Sequence, residues 1–175
     1  GSGGAVPSPP VVVCVVTVAC CVDVLSAKKL SFGGSKGVPR DMGLLREMHV
    51  NAIRVHVGIP PKWIRYIYDK FGIFTVLNDP LGRYGLTVDG VWRAETDYSD
   101  PVVRKTLRQA MHKTVQHYRH TPGLLLWLLG NENNYGLVWH DAAIADLPVE
   151  QQRDARAEAL YSLFGEVIAE IKALD

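Results

Sequence analysis

The 175-residue chain reads as an α/β protein built from about four βα units, preceded by a short apolar, β-rich segment. Three observations predict this. Short β-branched or apolar runs alternate with longer amphipathic stretches from about residue 30 onward. One run, LLLWLL at 124–129, is apolar throughout, as expected of a parallel strand buried on both faces. Polar and ionisable residues follow the runs directly, at what would be the C-terminal ends of the strands. Alternation of this kind implies parallel strands joined by right-handed helical crossovers.

In chain order, residues 1–8 open with Gly-Ser-Gly-Gly and read as a linker or cloning scar. Residues 9–30 contain VVVCVVTVACCVDVL, whose valines and threonine favour strand over helix. The run is too short for a confident membrane span, and Asp23 interrupts it. A signal or anchor remnant is the rival reading. Cys14, Cys20 and Cys21 form no disulfide framework and have no C-x-x-C spacing. Residues 31–175 form the predicted domain. SFGGSKGV at 31–38 is a weak strand candidate, and 40–49 a short helix with Met42, Leu45 and Met48 on one side. NAIRVHV at 51–57 is a strand. Pro60-Pro61 opens the next helix, Trp63, Ile64, Ile67, Tyr68 and Phe71 form its apolar stripe, and Gly72 closes it. IFTVLN at 73–78 is a strand, and 81–99 a long polar loop. Asp100-Pro101 caps a helix with Val103, Leu107, Ala110, Met111, Thr114 and Tyr118 on its inner side. The strand at 124–129 follows, then a second loop. The last helix carries Ala159, Leu160, Leu163, Phe164, Val167, Ile168 and Ile171.

Net charge is +1, and basic residues are spread along the chain, so composition makes no case for nucleic acid or an anionic membrane. A dinucleotide site is unsupported, since no Gly-rich turn follows the first strand, and no P-loop is present. Long loops after strands fit a (β/α)₈ barrel, with an open flavodoxin-like sheet as the alternative. Three strand ends would meet on one rim: Arg54 and His56, Asn78 and Asp79, Asn131 and Glu132. The loops add Arg83, Tyr84, Trp92, Tyr135, Trp139 and His140. Aromatic faces beside acids and amides suit a sugar, whose rings stack and whose hydroxyls hydrogen-bond. Blander readings exist for each: a structural ion pair for Arg54, a satisfied histidine for His56, loop packing for the aromatics. For His112, His117 and His120 a solvated helix face outweighs a metal site.

The stretches LLREMHVNAIRVH (44–56), YIYDKFGIFTVLN (66–78) and LLWLLGNENN (125–134) resemble, in order and spacing, the catalytic barrel of glycoside hydrolase family 2. The resemblance runs from residue 41 to residue 175. It implies a TIM-barrel domain of which the N-terminal half is present, retaining hydrolysis of a β-linked glycosidic bond and a carbohydrate substrate. No cofactor or metal is assigned. By position the resemblance implies that Glu132 is the general acid/base and that Asn131 bonds the sugar 2-hydroxyl. It places Arg54 beneath the catalytic carboxylates and His56 near the family's histidine, although this chain reads Arg-Val-His where the family pattern is Arg-Thr-Ser-His. Asn78, Tyr135 and Trp139 join the expected substrate-binding residues. An acid that protonates a leaving oxygen must hold its proton near neutral pH. Burial and a second carboxylate about 5 Å away serve that need in a retaining site. The family's nucleophile is a glutamate on the seventh strand, and no residue here is assigned that role. A non-catalytic, carbohydrate-binding or self-associating half-barrel is therefore the alternative, its open strand edges favouring association with itself or with a missing C-terminal half.

Overall fold

The computed structural model describes residues 15–17, 37–138 and 144–175. Strand β1 (Val15–Thr17) falls within the predicted apolar segment; the three cysteines and residues 31–36 lie outside the described residues. Helix α1 (Gly37–Glu47), β2 (Ala52–His56), α2 (Pro61–Phe71) and β3 (Phe74–Asp79) follow. Next come a hairpin of β4 (Leu86–Val88) and β5 (Val91–Arg93), helix α3 (Pro101–Tyr118) and β6 (Leu124–Leu129). A 3₁₀ segment (Asn133–Val138) and α4 (Val149–Leu174) complete the chain.

Strands β1, β2, β3 and β6 form one sheet in that order, and every pairing is parallel. The register places Arg54 beside Val76 and His56 beside Asn78, so β2 and β3 end level. Between β3 and β6 the register shifts at Thr75/Val76, after which Asn78 sits beside Leu128. Residues Ile53, Val55 and Leu77 of β2 and β3 pack into a core with Val38 and Met42 of α1 and Ile64 and Ile67 of α2. Because side chains alternate across a strand, Arg54, His56 and Asn78 face the other way. A second core joins Val103, Leu107, Met111 and Val115 of α3 to Leu160, Leu163 and Val167 of α4. Outside it, Arg104 pairs with Glu166, and Arg108 with Glu166 at 3.3 Å and with Glu170. No described helix is long and apolar enough to cross a membrane.

Local signals explain the helix ends. Asp100 accepts a hydrogen bond from the Val102 amide at 2.7 Å and Pro101 occupies the first turn, as the Asp-Pro pair predicts. Helix α2 starts at Pro61 and ends on Gly72 in the left-handed conformation.

The structure corrects several expectations. Gly37 and Val38 belong to α1, not to a strand, and Met48 lies past its end and is exposed. On α3, Val115 rather than Ala110 completes the buried stripe. The stretch 81–99 is not only loop: Asp89 (φ 50°) and Gly90 (φ 79°) make the two-residue turn of the β4–β5 hairpin. A turn with positive φ at both positions matches the twist of the flanking strands, and Asp-Gly is a preferred pair for it. The largest correction concerns β6. It was expected to be buried on both faces, yet Leu125 is 43% and Leu126 45% exposed. Among the described residues β6 pairs only with β3, so its second edge and part of its surface face solvent.

Candidate active site

The C-terminal ends of β2, β3 and β6 converge on one hydrogen-bonded network. Asn78, fully buried, is its hub. Its carbonyl oxygen accepts from Arg54 Nε at 3.1 Å and Nη2 at 2.5 Å. Its amide donates to the carbonyls of Leu128 (2.9 Å), Gly130 (2.8 Å) and Asp79 (3.3 Å). Arg54 Nη2 also donates to Asn131 Oδ1 at 2.6 Å, and Asn131 Nδ2 donates to the Tyr84 hydroxyl at 2.5 Å. One guanidinium thus ties β2 to the ends of β3 and β6, and a charged donor makes these bonds stronger than neutral ones.

The turn that carries Glu132 is conformationally unusual. Gly130 has φ 77°, and a Cβ there would stand 2.7 Å from Asn133 Oδ1 and 2.9 Å from Phe164 Cζ. Glu132 has φ 56°, the left-handed region that a side chain with a Cβ enters at a cost of about 1–3 kcal/mol. Asn133 holds this turn from inside. Its Oδ1 accepts from the Asn131 amide at 2.6 Å. Its Nδ2 donates to Pro80 O (3.0 Å), Leu81 O (3.1 Å) and the Tyr98 hydroxyl (2.8 Å). The surroundings therefore over-determine the turn, which is how backbone strain persists in a folded protein.

Charge on the rim is shaped by burial. The Asp79 carboxyl is pushed above its ordinary range, chiefly by burial, against the Leu81 amide it accepts from at 2.8 Å and the nearby His56. His56 is held below its ordinary range by partial burial and by the Arg54 charge, with Asp79 pulling the other way. Tyr98 is pushed up to about 12, mainly by burial.

Measured against the sequence expectations, Arg54, His56, Asn131 and Glu132 do meet on one rim. Asn78 is a correction: it was expected to touch substrate, but it has no exposed surface and its amide is engaged by protein, so it supports Arg54 instead. Glu132 differs too, since it is exposed rather than buried at a strand end. Tyr135 is 56% exposed with its ring facing Arg83, and Tyr84 is 58% exposed. Trp139 and His140 lie outside the described residues. Two residues escaped the sequence reading. Asn133 stands among three closely spaced asparagines and drew no role of its own, and Tyr98 lies 35 residues from the amide it contacts. The available signal was weak: an aromatic hydroxyl in a loop rich in polar residues.

A cavity of about 530 Å³ opens beside this network, lined by Arg54, Leu128, Asn131, Glu132, Tyr161 and Phe164 among others. A larger groove, about 880 Å³, runs between α3 and α4, but no strand residue lines it and its arginines are paired with Glu166 and Glu170. At the strand ends, by contrast, amides, a guanidinium and a carboxylate converge on open space. Among the described residues no group of three or more His, Cys, Asp or Glu could hold a metal ion.

A parallel βα sheet with polar groups gathered at its strand C-termini fits a TIM-barrel domain, whose active sites lie at that face. The family described as "Glycosyl hydrolases family 2, TIM barrel domain" matches residues 33–153. The chain belongs to glycoside hydrolase family 2. It is similar to a β-galactosidase of Pectobacterium atrosepticum, 29% identical over 104 residues, which covers 59% of this chain and 9% of that protein. It is similar also to one of Arthrobacter sp. strain B7, 26% identical over 121 residues (65% and 12%), and to one of Lactococcus lactis, 24% identical over 98 residues (55% and 9%). The chain thus spans 9–12% of the length of these curated relatives. No solved structure matches it.

Proposed function

We propose that the chain carries the acid/base half of a retaining β-glycosidase site, on the first four βα units of a (β/α)₈ barrel. Glu132 is the general acid that protonates the glycosidic oxygen and then the base that activates water. Asn131 bonds the sugar 2-hydroxyl, its amide oriented by Arg54 and Tyr84. Arg54 supplies positive charge beneath the carboxylates, and His56 and Tyr135 line the sugar cleft, with Trp139 as a further platform. A β-galactoside is the substrate class that the relatives' names suggest. No residue of the chain is assigned as nucleophile.

The observation that supports this best is the pairing of Asn131 with Arg54 one residue before a left-handed, exposed Glu132. A structural carboxylate has no need of a strained turn held by four strand-end and loop segments, whereas an acid that must meet substrate does. The test is hydrolysis of chromogenic β-glycosides by a protein that joins this chain to the nucleophile-bearing half of the barrel, and by its Glu132→Gln variant. Hydrolysis lost in the variant supports the proposal, and hydrolysis unchanged in it overturns it. The open edge of β6, with Leu125 and Leu126 exposed, favours a second reading, a sugar-binding half-barrel that associates through that edge. Sugar binding without hydrolysis in an oligomer would support that one instead.

A further inference from the structure

We infer that Arg83 is the positioning residue for the acid/base turn, an inference that rests on reading Glu132 as the acid/base. Arg83 sits on the loop after β3, and it reaches across to the loop after β6. Its Nε donates to the Glu132 carbonyl oxygen at 3.0 Å. That same oxygen accepts from the Tyr135 amide at 3.1 Å, so Arg83 shares the bond that closes the turn. Its guanidinium carbon lies 5.4 Å from the Tyr84 ring centre and 5.5 Å from the Tyr135 ring centre. A cation between two aromatic faces is held in place by both. Tyr84 in turn accepts from Asn131. One side chain therefore connects to both residues that flank the sugar in the proposed site, Asn131 through Tyr84 and Glu132 through its own backbone.

The platform beneath Arg83 is stiff. Its amide donates to Pro80 O at 3.1 Å, and Gly82 O accepts from Thr96 Oγ1 at 2.5 Å and from the Gly85 amide at 3.1 Å. Leu81 O accepts from the Tyr98 hydroxyl at 3.0 Å and from Asn133. A donor fixed on such a loop transmits its position to the carbonyl it holds. Glu132 has an exposed side chain and a backbone angle it would not choose alone, so its aim depends on what grips its carbonyl oxygen. Asn133 grips the turn at residue 131, and Arg83 grips it at residue 132.

The test compares Arg83→Ala with Glu132→Gln, in a protein that joins this chain to the nucleophile-bearing half of the barrel, on two β-glycosides, one with a dinitrophenolate leaving group and one with an alkoxide. Dinitrophenolate departs without a proton, and an alkoxide needs one. If Arg83 aims the acid, Arg83→Ala lowers kcat/KM for the alkyl glycoside about a hundredfold, the size expected of a misplacement near 1 Å, and spares the dinitrophenyl glycoside. Equal losses on both substrates would overturn the inference, because a general structural defect does not discriminate between leaving groups. Amide hydrogen exchange in the same chain gives a reading independent of turnover. Exchange of the Tyr135 amide should rise about tenfold in Arg83→Ala, since half of the grip on its acceptor is gone; unchanged exchange overturns the inference even in a chain without activity. Should Arg83→Ala fail to fold, Arg83→Gln is read by the same two measurements. If Glu132→Gln itself shows no dependence on leaving group, the acid/base reading fails, while the exchange result still decides whether Arg83 holds the turn.

Discussion

Strands β3 and β6 end almost alike in sequence, Leu77-Asn78-Asp79 against Leu129-Gly130-Asn131-Glu132, and very differently in space. At the end of β3 the amide is fully buried and spends every polar atom on Arg54 and three carbonyls. At the end of β6 the amide is partly open, and the acid beside it is exposed on a left-handed backbone. The difference lies in the neighbours. β3 has β2 on one side and β6 on the other, whereas β6 has only β3 among the described residues. An amide enclosed on both sides becomes part of the scaffold, because an unmet polar group there would cost too much. One with an open side keeps hydrogen-bonding capacity for a ligand. The same residue type thus builds the platform at one strand end and faces the cleft at the next.

The sharpest way to break this comparison is to remove the acid from the open end. Glu132→Gln should lower hydrolysis of an alkyl β-glycoside by about 10²–10⁴-fold, the usual worth of general acid–base assistance. Its thermal midpoint should stay within a degree or two of the parent by circular dichroism, since nothing buried changes. The mirror experiment removes the amide from the closed end. Asn78→Ala removes the side-chain donor to the Leu128 and Gly130 carbonyls and one of the two acceptors of the Arg54 guanidinium, which keeps Asn131. The expected loss is about 2–4 kcal/mol of stability, two or three groups losing a partner at about 1–3 kcal/mol each with partial relaxation. Urea unfolding measures it. If Asn78→Ala instead leaves stability intact, then β3's end is not scaffold and the contrast with β6 disappears.

The sequence made one of these two ends legible in kind and neither in detail. Pro60-Pro61, Gly72 and Asp100-Pro101 bound α2 and α3 correctly because those residues constrain φ or cap amides locally, whatever packs around them. The order of parallel strands followed from alternation, and three polar strand ends did share a rim. What failed depends on distant partners. The burial of β6 was read from six apolar residues, but burial is set by what lies on the second edge, which composition does not encode. The β4–β5 hairpin hid because its strands are three residues each, too short for alternation to show, although Asp89-Gly90 was there to be read. Asn78 looked like a ligand contact, and Asn133 had no role assigned. Only the fold shows that Asn78 meets Arg54, 24 residues away, and Asn133 meets Tyr98, 35 residues away.

A smaller effect should come from the hinge between the two environments. Gly130 joins the apolar run of β6 to the acid's turn, and its carbonyl accepts from Asn78. Gly130→Ala forces a Cβ against Asn133 Oδ1 and Phe164 Cζ at a φ of 77°. The expected cost is about 1–3 kcal/mol, seen as a lower urea midpoint with an unchanged slope. Activity should fall more than stability alone explains, because the clash pushes on the side chain that latches the turn. A variant with normal activity would show that the geometry at residue 130 is not what aims Glu132.

The smallest effect at neutral pH tests that latch from its far side, and pH reveals it. Tyr98 donates to Leu81 O and accepts from Asn133, which in turn holds the Asn131 amide. Tyr98→Phe removes one hydroxyl and should cost about 1 kcal/mol at pH 7. The ring's position inside the fold pushes its hydroxyl up to about 12, against about 10 in the unfolded chain. A folded value above the unfolded one means that the unfolded chain loses its proton first. The Tyr98 contribution is therefore complete below pH 10 and declines as pH rises toward 12, at up to about 1.4 kcal/mol per pH unit. Urea midpoints measured from pH 8 to 11.5 should fall above pH 10 in the parent and fall less steeply in Tyr98→Phe. Parallel alkaline limbs in the two proteins would mean that Tyr98 is as free to ionise folded as unfolded. In that case the latch on Asn133 would have to rest on the Pro80 and Leu81 carbonyls alone.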